Sequence, residues 1–214
     1  MKDSVRKEID ILLSHYPELT KCERDIMEAF RLMQDCYKQR GLIMTCGNGG
    51  SAADAGHIVG ELMKGFKLKR PLTDNERETL ETAFPDKGDY LADNLQRAIP
   101  AISLSDQTAV TSAFINDVAP DMVFAQQVFG YGRVGDVLVA ISTSGNSCNV
   151  VNACKVAKAF GLKTIGLTGE SGGEMNAICD VTIRVPACET YRVQEYHLPV
   201  YHTLCAMLEM ENYY

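Results

Sequence analysis

The chain has 214 residues, 46% of them hydrophobic and 23% charged, a balance that can bury a sizeable core and excludes disorder or a coiled coil. Its net charge of -7 argues against general nucleic-acid affinity, which needs a basic face, but leaves room for a small anion in a local site. No apolar run approaches the roughly 20 residues that span a bilayer. The N-terminus opens on an amphipathic segment, so the expectation is a cytoplasmic protein without a signal peptide or a membrane partner. The cysteines at 22, 36, 46, 148, 154, 179, 188 and 205 show no C-x-x-C spacing and fall mostly inside expected helices and strands, which predicts reduced, buried thiols.

Two amphipathic helices come first. Val5, Ile9, Leu12, Leu13 and Tyr16 make one stripe, and Cys22, Ile26, Ala29, Phe30, Met33 and Tyr37 make another. Thr20 to Glu23 reads as a capping box for the second helix and Gly41 as its stop. These helices carry no evident chemistry; residues 1–41 are expected to pack on a core formed by 42–214.

From Leu42 the pattern changes to short apolar runs separated by helical stretches: Leu42–Cys46, Ala101–Leu104, Val137–Ile141, Thr164–Leu167 and Val181–Val185. Runs so uniformly apolar suit strands covered on both faces, and the fold class follows: α/β, a five-stranded parallel sheet flanked by helices, with an N-terminal helical extension. Such sheets bind ligands at the carboxyl ends of their strands. An inserted segment at about 66–100 holds a capping box at Thr73–Glu76 and a turn at Pro85–Gly88, predicting two short helices. It reads either as a surface excursion or as a lid.

The first strand runs into Cys46-Gly47-Asn48-Gly49-Gly50-Ser51 and then a helix. Glycines let the backbone approach a ligand closely, and the free amides of a helix start favour an anion. The third strand runs into Ser142-Thr143-Ser144-Gly145-Asn146-Ser147, ahead of a helix expected over Asn149–Phe160. Hydroxyls that donate and a helix dipole that supplies positive potential make a phosphate cradle with no lysine; the P-loop pattern is absent.

This pair of loops resembles the SIS (sugar isomerase) family, flavodoxin-like in fold, and within it the phosphoheptose isomerases, from about Leu42 to the C-terminus. The resemblance implies a phosphosugar substrate bound by Ser142, Thr143, Ser144 and Ser147, with Asn48, Gly49, Gly50 and Ser51 nearby and Asn116, Asp117 and Gln194 as further contacts. It also implies a zinc ion on His57, Glu61, Gln194 and His202, and a homotetramer with the N-terminal helices between subunits. His57 and Glu61, four apart, project from one helix face and could share an ion. Gln194 and His202 lie two turns apart on broadly one side of the last helix, whereas His197 points elsewhere and reads as packing or surface. Pro199, between the two, cannot donate the usual helix bond, and a kink is expected there.

The implied reaction converts sedoheptulose 7-phosphate to D-glycero-D-manno-heptose 7-phosphate through an enediol. Glu61 would shuttle the carbon-bound proton, and His202 would serve as acid and base at the oxygens. The alternatives are an isomerase of another phosphosugar, or a non-catalytic SIS protein that binds a sugar phosphate or a replication-type protein partner.

Overall fold

A computed structural model describes residues 2–214. In chain order the elements are α1 (Asp3–His15), α2 (Glu23–Lys38), β1 (Ile43–Gly47), α3 (Gly50–Met63), α4 (Asp74–Ala83), α5 (Gly88–Asn94) and β2 (Ala101–Ser103). Then follow α6 (Thr108–Asp117), α7 (Val123–Tyr131), β3 (Val137–Ile141), α8 (Cys148–Ala159), β4 (Lys163–Thr168), α9 (Met175–Ile178), β5 (Val181–Arg184) and α10 (Thr190–Tyr213). The expected strands are all present, each end within one residue of the sequence reading.

The sheet order is β2-β1-β3-β4-β5 and every pairing is parallel. Successive strands are therefore added outwards in opposite directions from β1 and β3, and that switch point opens a crevice at their carboxyl ends. Strand alternation sorts the core into two layers. Ile43, Val137, Val139, Ile141, Ile165 and Leu167 pack with α2, α3 and α10, and α1 extends the same cluster through Val5 and Ile9. Met44, Cys46, Leu138 and Ala140 face α7 and α8 on the other side. Among the described residues no helix is long and apolar enough to cross a membrane.

Several local expectations change. A 3-10 helix over Pro17–Cys22 replaces the capping box, because Pro17 fixes the turn and the Thr20 hydroxyl donates to its carbonyl at 2.7 Å. At the end of α2 the left-handed residue is Arg40 (φ 59°), not Gly41. The Arg40 and Gly41 N–H groups bond back to Tyr37 and Cys36 in a Schellman motif. Helix α8 begins at Cys148, one residue early. Among the cysteines, Cys148 and Cys188 are exposed and Cys179 is half-buried, while the other five are buried; none is in a disulfide. Burial pushes the Cys22 thiol up to about 11 and Cys36 and Cys46 to about 12, so these stay protonated packing groups.

Helix α10 runs unbroken through Pro199. The bond lost there frees the carbonyl of Glu195, an exposed residue where water can replace it. His197 is a packing residue, fully buried, with no well-formed hydrogen bond at either ring nitrogen. Burial, opposed only in part by the Thr168 backbone, pushes its pKa down to about 4. The unfolded chain takes up that proton at about pH 6.5, so the stability tied to a neutral His197 is complete above that pH and is lost as pH falls towards 4. The expected loss is about 3 kcal/mol. Replacing His197 by Leu should flatten this slope, and denaturant midpoints at pH 7.5 and 5 will show it.

Helices α4 and α5 form the expected pair, with the Thr73–Glu76 capping box in place. They pack chiefly on each other, clasped by Arg77 bonding to Glu81 and Asp93, and α4 buries no residue. The stem of this insertion is held differently. The fully buried Glu209 carboxylate accepts the N–H groups of Phe66, Lys67 and Leu68 at 2.8, 2.7 and 3.0 Å and the Arg70 Nε at 2.7 Å. Arg70 in turn donates to the carbonyls of Leu62 and Glu61.

Candidate active site

Both glycine- and serine-rich loops lie beside the β1–β3 crevice. The first rises from β1 with Gly49 at a positive φ of 55° and enters α3. The second rises from β3, where the Ser142 and Ser147 hydroxyls meet at 3.0 Å. Ser147 makes no side-chain cap to α8; its hydroxyl is turned to Ser142, at the positive end of the helix. Asn48 and Asn149 tie the loops together through reciprocal amide bonds, both 2.9 Å. Ser105, following β2, brackets the same corner by donating to the Gly47 carbonyl and accepting its N–H. Sequence reasoning missed Asn149 and Ser105, since neither carries a local signal beyond a polar residue near a turn.

Gly145 gives the second loop its shape. It sits at φ 67°, and a Cβ there would stand 2.1 Å from the Gly172 carbonyl oxygen. Gly145→Ala therefore adds a left-handed penalty of roughly 1–2 kcal/mol to a backbone collision. We expect KM for a phosphosugar to rise about tenfold or more, read by steady-state kinetics, with the fold retained by circular dichroism.

Away from the loops, α3 and α10 bring three predicted residues together. His57 Nε2 is 3.1 Å from Glu61 Oε1 and 3.4 Å from His202 Nε2. The His57 and His202 rings meet edge to face, and Phe66 lies 5.5 Å from His202 on another side. Burial lowers the pKa of His202, helped by His57 and opposed by Glu61. A cavity of about 350 Å³ adjoins His202, lined also by Glu8, Ile11, His15, Phe66 and Thr203. Helix α1, which showed no chemistry in the sequence, thus forms one wall; Lys67 holds it there through 2.7 Å bonds to Glu8.

These groups are zinc donors in type, and His57 is spaced from each of the other two as zinc donors are. Donors on a tetrahedral zinc, at 2.0–2.1 Å from it, stand about 3.3 Å apart, and the two observed separations bracket that edge. The Gln194 amide lies over Gly50, where a Cβ would be 2.5 Å from Nε2. Among the described residues no group of three or more His, Cys, Asp and Glu is placed so that it could hold a metal ion. Asn116 and Asp117 occupy the last turn of α6, and the Asn116 amide donates to Asp117 at 2.8 Å.

Comparison with known proteins bears on this arrangement. A family model described as the SIS domain matches residues 12–83 and 79–169. Phosphoheptose isomerases from Aliarcobacter butzleri and Akkermansia muciniphila are 38% and 36% identical, the alignments covering 99% and 100% of this chain and 98% and 99% of theirs. Among solved structures, phosphoheptose isomerase GmhA from Neisseria gonorrhoeae superposes with a TM-score of 0.67 at 33% identity, over 92% of this chain and 96% of that one. A phosphoheptose isomerase from Francisella tularensis gives 0.72 at 27% identity, over 94% and 98%.

Proposed function

Because the chain belongs to the SIS-domain family and is a phosphosugar isomerase, we propose that it interconverts sedoheptulose 7-phosphate and D-glycero-D-manno-heptose 7-phosphate in the cytoplasm, as a zinc-dependent homotetramer. The observation that carries this reading is the meeting of His57, Glu61 and His202 from α3 and α10, α3 being the helix that begins at the first crevice loop.

The Ser142–Ser147 loop binds the phosphate through hydroxyls and the amides at the start of α8. Asn48 and Asn149 keep the two loops in register around it. A Glu61 carboxylate oxygen takes the proton from C1 of the ketose and returns it to C2. His202 is the acid and base that moves the proton between the two oxygens, acting when its Nε2 lone pair is free of the ion, a task that its lowered pKa favours. His57, Glu61 and His202 would hold zinc, with Gln194 the further donor the resemblance implies; the ion supplies polarisation of the carbonyl and lowers the charge of the enediolate.

The test is turnover of heptose, hexose and pentose phosphates, with added zinc and after chelation. Preference for sedoheptulose 7-phosphate by tenfold or more in kcat/KM, lost on chelation and restored by zinc, is the expected result. A better pentose or hexose substrate overturns the heptose assignment. Binding without turnover of any sugar overturns the enzyme reading.

A further inference from the structure

Behind His57 lies a pair of residues with no part in the reaction above. The Tyr201 hydroxyl is 3.0 Å from His57 Nδ1 and 3.2 Å from Asp54 Oδ1. The Tyr201 side chain is buried, and its ring packs edge to face on His57 at 5.5 Å. We propose that Tyr201, backed by Asp54, is a positioning residue that locks His57 in the tautomer protonated on Nδ1 and so presents an unprotonated Nε2 to the cleft.

The direction follows from counting protons. A phenol has one proton to donate, and an ionised carboxylate only accepts. The Tyr201 proton therefore goes to Asp54, and the bond to His57 must be donated by Nδ1–H. Nε2 is left with its lone pair, facing Glu61 Oε1 and His202 Nε2 at 3.1 and 3.4 Å. Glu61 Oε1 only accepts, so Nε2 gains no hydrogen bond from it, while a His202 Nε2–H can donate across the 3.4 Å contact; the relay thus leaves Nε2 with a lone pair open to a cation. The direction holds while Asp54 is ionised: Oδ1 then accepts from Tyr201, although burial of Asp54, its Oδ2 without a partner, raises its pKa. A proton kept on Asp54 would reverse both bonds and place the imidazole proton on Nε2, so the proposal commits to one of two distinguishable states. Outer partners that orient a ligating histidine commonly change metal affinity 10- to 100-fold when removed.

The tautomer itself does not depend on the metal; only its consequence for affinity rests on the zinc reading. The experiment is long-range ¹H–¹⁵N correlation of the histidine rings in the metal-free full chain, at a pH above imidazole titration, with His57 assigned by its loss in His57→Gln. Wild-type protein should show His57 protonated on Nδ1, and Tyr201→Phe, which keeps the ring and its packing, should shift it towards Nε2–H. Zinc competition with a chromophoric chelator should show affinity 10- to 100-fold weaker in Tyr201→Phe and a smaller loss in Asp54→Asn, whose amide is a weaker acceptor. His57 protonated on Nε2 in the wild type overturns the proposal even if the variants fail to fold. So does an unchanged tautomer in Tyr201→Phe. A wild type with the Nδ1–H pattern that binds no zinc supports the relay and sinks the metal reading instead.

Discussion

Replacing Glu61 by Gln should lower kcat by roughly 10²–10⁴, the range general acid–base catalysis supplies, while sugar-phosphate binding survives. The amide copies the shape of the carboxylate but cannot take a proton from carbon. The phosphate loop, on β3 and α8, is built from separate elements, so affinity should stay near wild type by calorimetry. Because Glu61 also touches His57, zinc content must be measured alongside. Turnover within tenfold of wild type would remove Glu61 from the proton shuttle.

The largest loss of stability is expected from Glu209→Ala. This carboxylate and Arg70 are both fully buried, and removing one member of such a pair typically costs about 3–5 kcal/mol, because the other charge is left without compensation. Three backbone N–H groups lose their acceptor as well. In a chain of this size the melting temperature should fall by roughly 6–20 °C, measured by calorimetry. Activity should suffer below that melting point too. The clasp sets Phe66 against His202 and holds the Glu61 carbonyl through Arg70, so loosening it disturbs both proposed proton-transfer groups. A variant with wild-type melting and turnover would show that the clasp is dispensable.

That clasp was not legible in the sequence. Arg70 and Glu209 stand 139 residues apart, and each alone reads as an ordinary charged residue near a helix. The same holds for Asn48 with Asn149, for Tyr201 with Asp54, and for α1 beside the cavity at His202. The Gly41 stop and the Thr20 capping box show a smaller failure: several adjacent residues could end or start a helix, and Pro17 and the Arg40 turn decided between them. Helical phase does not say which neighbour the long Gln194 amide will meet, and here it lies over Gly50.

By itself the sequence determined what repeats over a few residues. The strands were visible as short apolar runs, the loops as glycine and serine at their carboxyl ends, and His57 with Glu61 as neighbours on one helix face, because these patterns are set by local periodicity. Only the tertiary structure decided which strands adjoin and which helix faces meet. The order β2-β1-β3-β4-β5 puts β3 beside β1 although the helical insertion and β2 intervene in the chain, and α10 returns to lay His202 against His57, 145 residues away. Such pairings arise from burying whole faces of helices and sheet together, a property that no short stretch of chain carries.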